Sequence, residues 1–413
     1  MEHKIYPFEK HQLPIDKIDP DALYVLEKLH KAGFIAYLVG GSVRDLLLNQ
    51  KPKDYDISTS AEPEQIKKIF RNCILIGRRF RLAHIRFGHK ILEVSTFRSG
   101  DNETDSLIVR DNVWGSPEED VSRRDFTING LFYDSESQTI IDYADGYPDI
   151  EKKYLRTIGQ PFIRFRQDPV RMLRLLKFQA RFGFEVDPPA RVALLECRHE
   201  IAKSSPARIQ EELLRMLESG SSEPFFRLLT EHGMLHLLSP LLGDFLESSE
   251  SENVYSYLHE IDATLHESAK PPLDRSILLA CLIFPLLEIR IRHRYLDRER
   301  KPHLGDLYNE IQDLVDDVFR PFFQLSRRLK VGLVSILTAQ YRLIPLEPRK
   351  HRKLRVPHDP DFMKSLDFLK IRCSVEPSLQ QPLQEWLDAC NAQQRSALRK
   401  RKPKQPDTNR PLE

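Results

Sequence analysis

The spacing of apolar residues changes once along this chain, near residue 160, and that change limits the folds open to it. Before it, short runs at 35–39 (IAYLV), 54–58 (DYDIS), 73–76 (CILI), 82–87 (LAHIRF), 91–97 (ILEVSTF) and 139–143 (TIIDY) have the length and residue types of β-strands. Helical patterns at 22–31, 43–49 and 63–71 lie between them. After it, segments 168–182, 189–203 and 206–218 carry apolar residues three and four apart, the mark of amphipathic helices. Ser205 followed by Pro206 suits a helix start, because a proline in the first turn forfeits no hydrogen bond. Beyond 220 everything legible is helix or loop, and 346–361, rich in proline and basic side chains, reads as a linker or irregular stretch. The pattern predicts an α+β protein: an α/β domain at 20–155, helical segments at 156–220 and 221–345, a helical or irregular part at 346–394, and a basic disordered extension at 395–413.

The bulk numbers narrow the class. At roughly 100–200 residues per domain, 413 residues allow two to four domains. With 63 basic and 61 acidic residues the net charge is only +2, so any nucleic-acid surface depends on how charge is distributed. The five cysteines are odd in number and form no C-x-x-C pair, which argues against a disulfide framework or structural zinc and fits a reducing cytoplasm. The N-terminus lacks the apolar core of a signal peptide. The longest apolar stretch, 277–289, is too short to span a bilayer and contains Pro285 and Glu288, so a buried helix and no membrane span are expected.

The chemistry concentrates in 38–58, LVGGSVRDLLLNQKPKDYDIS. Gly40 and Gly41 end a strand and a helix follows, with Ser42 and Asp45 at capping-box spacing. Glycines let backbone approach a phosphate, free N–H groups at a helix start attract anions, and Arg44 adds a fork of donors. Alone such a turn is only a turn. Asp54 and Asp56, two apart on a strand, direct two carboxylates to one face, where they repel unless a cation intervenes. Hard oxygen ligands favour Mg²⁺, which commonly bridges protein carboxylates and substrate phosphates, and Glu93 on the ILEVSTF strand offers a third carboxylate. Two ions so held would orient an RNA 3′-hydroxyl and a triphosphate for nucleotidyl transfer.

With these residues in view, the chain resembles the class II nucleotidyltransferases, which comprise bacterial poly(A) polymerase and the CCA-adding tRNA nucleotidyltransferases. The matching pieces are GGSVRDLLL (40–48), KDYDI (53–57), EVSTFR (93–98), RRDFTING (123–130), RQDPVRMLRLLKF (166–178) and PARIQEELLRML (206–217), in the family's order. The likeness is firm over about 20–240 and weak beyond. It implies a polymerase-beta-like head followed by an all-α neck, body and tail, two Mg²⁺ ions, and ATP as substrate. It also implies that Asp54 and Asp56 are catalytic metal ligands, that Glu93 is the third carboxylate, that Asp125 is an active-site residue, and that Arg123 and Arg124 contact the triphosphate. An alternative for this motif is that Asp125 and Asn129 tie the head to the neck.

Asp168 and Arg171, three apart on a helix, share a face. An acceptor beside a donor matches the amino group and ring nitrogen of adenine or cytosine and mismatches uracil and guanine. The resemblance gives the pair this base-selecting role, so no template is needed. Gln167 departs from the family, which usually has an acid there. Arg174, one turn on, and Arg208 with Glu211 are candidate supports, and packing is an equal alternative for the last pair.

The Asp/Arg pair cannot tell a tail maker from a CCA maker. Residues 75–87, LIGRRFRLAHIRF, resemble the element that marks the poly(A) polymerases within the family. Arg78, Arg79 and Arg81 around Phe80 suit contact with RNA phosphates and bases. Between 395 and 404 six basic residues occur without an acid, Arg399, Lys400, Arg401 and Lys402 among them, a second candidate grip on RNA. The leading expectation is therefore an enzyme that adds AMP to RNA 3′ ends, acting in RNA processing and decay. The alternatives are tRNA CCA addition and a catalytically inactive RNA-binding scaffold, against which the intact carboxylates argue. No residue pattern identifies protein partners such as RNA-decay factors, or the oligomeric state.

Overall fold

The computed structural model describes residues 3–77, 82–99, 113–267, 272–322, 325–346 and 354–401. They form two compact units, Met1–Ser205 and Pro206–Glu413.

In the first unit, β1 (Lys4–Tyr6) and the short α1 (Phe8–His11) lead into α2 (Pro20–Lys31), β2 (Ala36–Val39), α3 (Gly41–Leu47), β3 (Asp56–Thr59) and α4 (Pro63–Ile69). Then come β4 (Cys73–Ile76), β5 (Leu82–Phe87), β6 (Lys90–Thr96), α5 (Pro117–Ser122), β7 (Leu131–Asp134) and β8 (Thr139–Asp142). The unit closes with α6 (Gly146–Glu151), β9 (Tyr154–Leu155), α7 (Pro161–Gln167), α8 (Val170–Phe182), β10 (Glu185–Val186) and α9 (Pro188–Cys197). Helix starts follow from local chemistry. Asp19 Oδ1 accepts the Asp21 and Ala22 N–H groups ahead of α2, with Pro20 in the first turn. Ser116 and Glu119 cap α5 reciprocally.

The strands build one eight-stranded sheet in the order β1-β8-β7-β2-β3-β6-β5-β4, antiparallel except for the central β3–β6 pair. Its register places Ile5, Ile141, Phe132, Val39, Asp56, Glu93, His84 and Ile74 in a single row across all eight strands. Side chains opposite one another in a ladder share a face. On the β8–β7–β2 side the row is apolar and buried, packed with Phe97, Val121 and Ile158. At β3 it turns acidic, and from there to β4 it is open to solvent to varying degrees. The other face carries Ala36, Leu38, Ile57, Ala83, Ile85 and Val94, all buried, and α2 and α4 pack on the sheet. Strands β1 and β7 are additions to the sequence reading: a three-residue edge strand and one inside a motif-dense stretch give little periodicity to detect.

Helices are the regular elements of the second unit, with no strand among its described residues. Helices α10 (Pro206–Leu217), α11 (Ser222–Glu231), α12 (Met234–Leu238), α13 (Pro240–Glu247) and α14 (Glu252–His266) precede α15 (Arg275–Arg294). Then follow α16 (Leu304–Phe319), α17 (Arg327–Leu343), α18 (Phe362–Val375) and α19 (Gln380–Arg401). Helix α15 is buried from Ser276 to Leu287, as the apolar stretch predicts, and no described helix is long and apolar enough to cross a membrane. The described part of the expected linker, 354–361, is not helical. One expectation is corrected: 395–401 are not disordered but continue α19. Ala, Leu, Arg and Lys are good helix formers, and an existing helix extends more readily than a new one nucleates.

Candidate active site

The glycine turn is set by backbone geometry. Gly40, ending β2, has φ +68° and ψ −126°, a region essentially closed to residues with a Cβ. A Cβ there would also lie 2.9 Å from Arg124 Nη1. Helix α3 begins at Gly41, so Ser42 already lies inside its first turn, and the capping box expected of Ser42 and Asp45 does not form. Instead Ser42 Oγ donates to the Val39 carbonyl at 3.0 Å.

Arg44 is not a free phosphate donor, contrary to the sequence reading. It is 4% exposed. Its Nε and Nη2 donate to Asp45 Oδ1 at 2.9 and 2.7 Å, and Nη1 donates to Asn129 Oδ1. Its guanidinium also lies 4.9 Å from the ring centroids of both Phe178 and Phe182, one helical turn apart on α8. Arg181 completes the group from α8, donating to Asp45 Oδ2 at 3.1 Å. The helix after the glycine turn is thereby locked to α8.

The carboxylates sit on the open part of the sheet. Strand β3 starts at Asp56, so Asp54 lies two residues ahead of it rather than on the strand, and its exposed side chain is placed by the approach loop. Asp56 and Glu93 are ladder partners on adjacent parallel strands, and Ser58 and Ser95, next along that face, approach to 3.1 Å between hydroxyls. Beyond Glu93, His84 Nε2 lies 3.5 Å from its Oε1. Solvent reaches Asp56, yet protein surrounds it on most sides. That desolvation, with the like charges of Glu93 and Asp54 and against the pull of Arg124, raises its carboxyl to about 6. Among the described residues no three acidic, histidine or cysteine groups converge into a ready-made ion cage. Magnesium does not need one, since it commonly takes one or two carboxylates and fills the rest of its shell with water and substrate oxygens.

The 123–130 motif links this face to the helices. Arg124 donates to Asp120 Oδ2 through Nη2 and Nε at 2.9 and 3.2 Å, reaches Ser58 Oγ at 3.4 Å, and lies over the Phe132 ring. The Arg123 side chain lies 4.0 Å from Asp120. Asp125 is buried. Its Oδ1 accepts the Phe126 N–H at 2.8 Å and the Asn129 amide at 3.0 Å, and its Oδ2 pairs with Arg174 at 2.9 Å. Burial alone would raise this carboxyl, but Arg174, Asn129, Arg171 and the Phe126 N–H outweigh it and hold it below the usual range. Asp125 and Asn129 thus join Arg44 of α3 to Arg174 of α8.

Asp168 and Arg171, expected to read the base, differ from their expected geometry. Asp168 separates α7 from α8 at φ −145° and ψ 90°, because Pro169 excludes the preceding residue from helical backbone. Asp168 and Arg171 are therefore not two residues of one helix face, although the Arg171 N–H still donates to the Asp168 carbonyl at 3.0 Å. Arg171 is buried and its Nη2 donates to the Arg123 carbonyl at 2.9 Å. Gln167 receives Arg164 Nη1 at 3.0 Å, and Arg164 Nη2 donates to the Arg124 carbonyl at 2.8 Å. The neutral residue at 167 thus holds Arg164. In the second unit, Glu211 takes Arg275 as a two-point partner at 2.9 and 3.0 Å and Arg215 at 3.2 Å, so it belongs to packing between α10 and α15.

Arg78, Arg79, Phe80, Arg81 and Lys402 lie outside the described residues, and Arg399, Lys400 and Arg401 are described only as α19 backbone. Sequence reasoning missed Phe178, Phe182, Arg181, Arg164, Ser58 and His84. The first three stand at helical spacing in one segment, a detectable signal. Ser58 and His84 become visible only through sheet register.

Comparisons with known proteins identify the family and the fold. Residues 36–156 match the poly A polymerase head domain family, and 183–246 match a family described as the probable RNA and SrmB-binding site of polymerase A. Poly(A) polymerase I of Salmonella typhi is 34% identical over 92% of this chain and 84% of that protein. Poly(A) polymerase I of Escherichia coli O157:H7 is 36% identical over the same shares, 92% and 84%. A CCA-adding enzyme of Lactobacillus johnsonii is 36% identical over 52% of this chain and 54% of its own. The crystal structure of the Bacillus stearothermophilus CCA-adding enzyme with CTP matches with a TM-score of 0.63 at 25% identity, covering 90% of this chain and 83% of that one.

Proposed function

This chain belongs to the bacterial poly(A) polymerase I family of nucleotidyltransferases, and we propose on that premise that it adds AMP from ATP to RNA 3′ ends without a template. The observation that carries the reading is the Asp56–Glu93 ladder pair beside Asp54, on the open face of a sheet whose neighbouring strand ends in the Gly40 turn. These oxygen donors suit Mg²⁺, and the Asp56 carboxyl, raised first by burial and then by the like charge of Glu93, sits where a bound cation would favour its charged form. Asp54, Asp56 and Glu93 would hold two ions. When bound, the metal lowers the pKa of the attacking hydroxyl and neutralises charge on the leaving pyrophosphate.

The chain's own residues do the positioning. The Gly40–Gly41 backbone receives the triphosphate, with Arg123 and Arg124 as donors beside it. Asp125, Asn129, Arg174 and Arg44 keep that turn registered against α8. Asp168 and Arg171 read the adenine edge, and the Arg123 carbonyl keeps Arg171 from swinging. We place this activity in cytoplasmic RNA processing and decay, a setting that the five unpaired cysteines suit. The RNA-binding family match at 183–246 supports RNA as the acceptor.

CCA addition is the second reading, favoured by the likeness to CCA-adding enzymes, but those sequence relatives share about half of the chain whereas the poly(A) polymerases share 92% of it. One assay separates the two. Purified protein is incubated with Mg²⁺, each nucleoside triphosphate singly, and either generic RNA or tRNA lacking its CCA end. Long extension of generic RNA with ATP alone is the expected result. Addition of C, C and A to the tRNA alone would replace this reading, and no incorporation on either RNA would favour an inactive RNA-binding scaffold.

A further inference from the structure

The ladder row that carries Asp56 and Glu93 does not stop at the carboxylates. It continues through His84 on β5 to Ile74 on β4, the sheet's last strand. Alternation along the strands adds Ile76, Leu82, Arg86 and Ile91 to the same face. Three of these apolar side chains are well exposed: Ile74 at 41%, Ile76 at 43% and Ile91 at 46%. The opposite face of the same strands is buried at Cys73, Ile85, Ala83, Leu92 and Val94. A sheet with one face covered normally turns polar side chains outward on the other. Here two isoleucines stand out on the edge strand β4 and a third on β6, beside the Asp56–Glu93 pair.

Direction decides what lies on this ledge. In nucleotidyl transfer the attacking and leaving oxygens stand roughly in line across the transferred phosphoryl group. The Gly40 turn ends β2, which flanks β3 on one side, while the ledge begins at β6 on the other. With the triphosphate on the β2 side, the attacking strand must approach from the β6 side. On the β2 side the row is closed by Val39, Phe132 and Ile141, all buried. Strands stand ~4.8 Å apart, so the ledge runs ~10 Å outward from Glu93. At ~3.4 Å per stacked nucleotide that holds about three nucleotides.

We propose that the exposed face of β6, β5 and β4 is the bed for the last three nucleotides of the RNA primer. Ile74, Ile76 and Ile91 bear on base and ribose faces. Arg86, exposed among them, pairs with a backbone phosphate. Apolar contact without a hydrogen-bond code suits an RNA end whose sequence is not dictated by a template. This inference rests on the proposed transfer reaction and names where its acceptor lies.

The test pairs kinetics with crosslinking on the full chain, using an oligoadenylate primer. The double variant Ile74→Ser/Ile76→Ser removes apolar surface from an exposed face and should fold, as checked by its melting temperature. Loss of base contacts at this scale predicts a primer KM raised by roughly tenfold or more, with the KM for ATP and the kcat at saturating primer within about twofold of wild type. The control Val331→Ser/Met363→Ser, exposed apolar residues on α17 and α18, should leave primer KM unchanged. A primer with 4-thiouridine two nucleotides from its 3′ end should crosslink to peptides from 73–76 or 82–91. If the wild type extends RNA but the ledge variant keeps its primer KM and the crosslinks map elsewhere, the bed is wrong and the activity stands. If the variant alters only the oligomeric state, the face is a contact between copies, and the proposal falls. A wild type that extends no RNA overturns the reaction itself, and this inference with it.

Discussion

Replacing Gly40 with alanine while leaving Gly41 alone probes the turn that the whole site is built on. At φ +68° and ψ −126°, a Cβ forces residue 40 into backbone territory that costs of order 1–3 kcal/mol. For a unit of this size, each kcal/mol shifts the melting temperature by about 2–4 °C, so Gly40→Ala should lower it by about 2 to 12 °C. The same Cβ meets Arg124 Nη1 at 2.9 Å, and the arginine must move, loosening its hold on Asp120 and Ser58. Loss of one such donor from the triphosphate predicts kcat/KM for ATP lower by about 10- to 100-fold. Gly41→Ala is the internal comparison: its Cβ would rest 3.4 Å from Arg44 Nη2, and its φ is not positive, so it should melt near wild type. Differential scanning calorimetry and steady-state AMP incorporation read both effects. Equal melting temperatures and equal kcat/KM for the two variants would refute the assignment of strain and contact to Gly40.

Arg44→Met should destabilise the first unit by up to about 3–5 kcal/mol in urea denaturation, because it strands the buried Asp45 carboxylate, with Arg181 left as partial compensation. A loss under about 1 kcal/mol would contradict the locking role. In the second unit, burial raises the Glu288 carboxyl from 4.5 to about 7, with Glu376 adding and Arg372 opposing. The folded chain therefore keeps a proton that the unfolded chain releases near 4.5, so this group's stabilising contribution is complete below that pH and is lost as pH rises towards 7. Glu288→Gln should flatten the fall in melting temperature between pH 5 and 7, and an unchanged slope would remove Glu288 as its source. Asp168→Asn replaces an acceptor-only group by one that also donates, so incorporation should spread from ATP towards other nucleotides in single-nucleotide assays. Unaltered selectivity at unaltered kcat/KM would exclude Asp168 from base reading.

The sequence showed the strands 73–76 and 82–87 at their true bounds, and the helical turnover after 160, because periodicity is local. It failed where tertiary context decides. Arg44 looks like a phosphate donor in GGSVRD, yet two phenylalanines more than 130 residues on enclose it. The Asp168–Arg171 spacing implied one helix face, and Pro169 was the available warning that a break intervenes. The Asp54–Asp56 spacing implied two carboxylates on one strand, and only Asp56 belongs to it. Gln167 stood out as a departure, and only the folded chain brings Arg164 to it. Residues 75–87 stood out in the sequence, but the ledge that Ile76, Leu82 and Arg86 among them form with Ile74 and Ile91 beyond Glu93 did not, since it depends on β3 pairing parallel with β6 and on β4 ending the sheet.

Asp54 and Asp56 offer the most direct test of metal-dependent transfer. Asp54→Ala and Asp56→Ala are assayed for AMP incorporation into a generic RNA with Mg²⁺ and ATP, and in parallel for RNA binding by fluorescence anisotropy. Loss of metal-assisted stabilisation of at least ~4 kcal/mol predicts incorporation lower by about 10³-fold or more, with the RNA Kd within about twofold of wild type. RNA binding that collapses together with activity, or incorporation that persists in either variant, would contradict the assignment of these residues to metal-dependent nucleotidyl transfer.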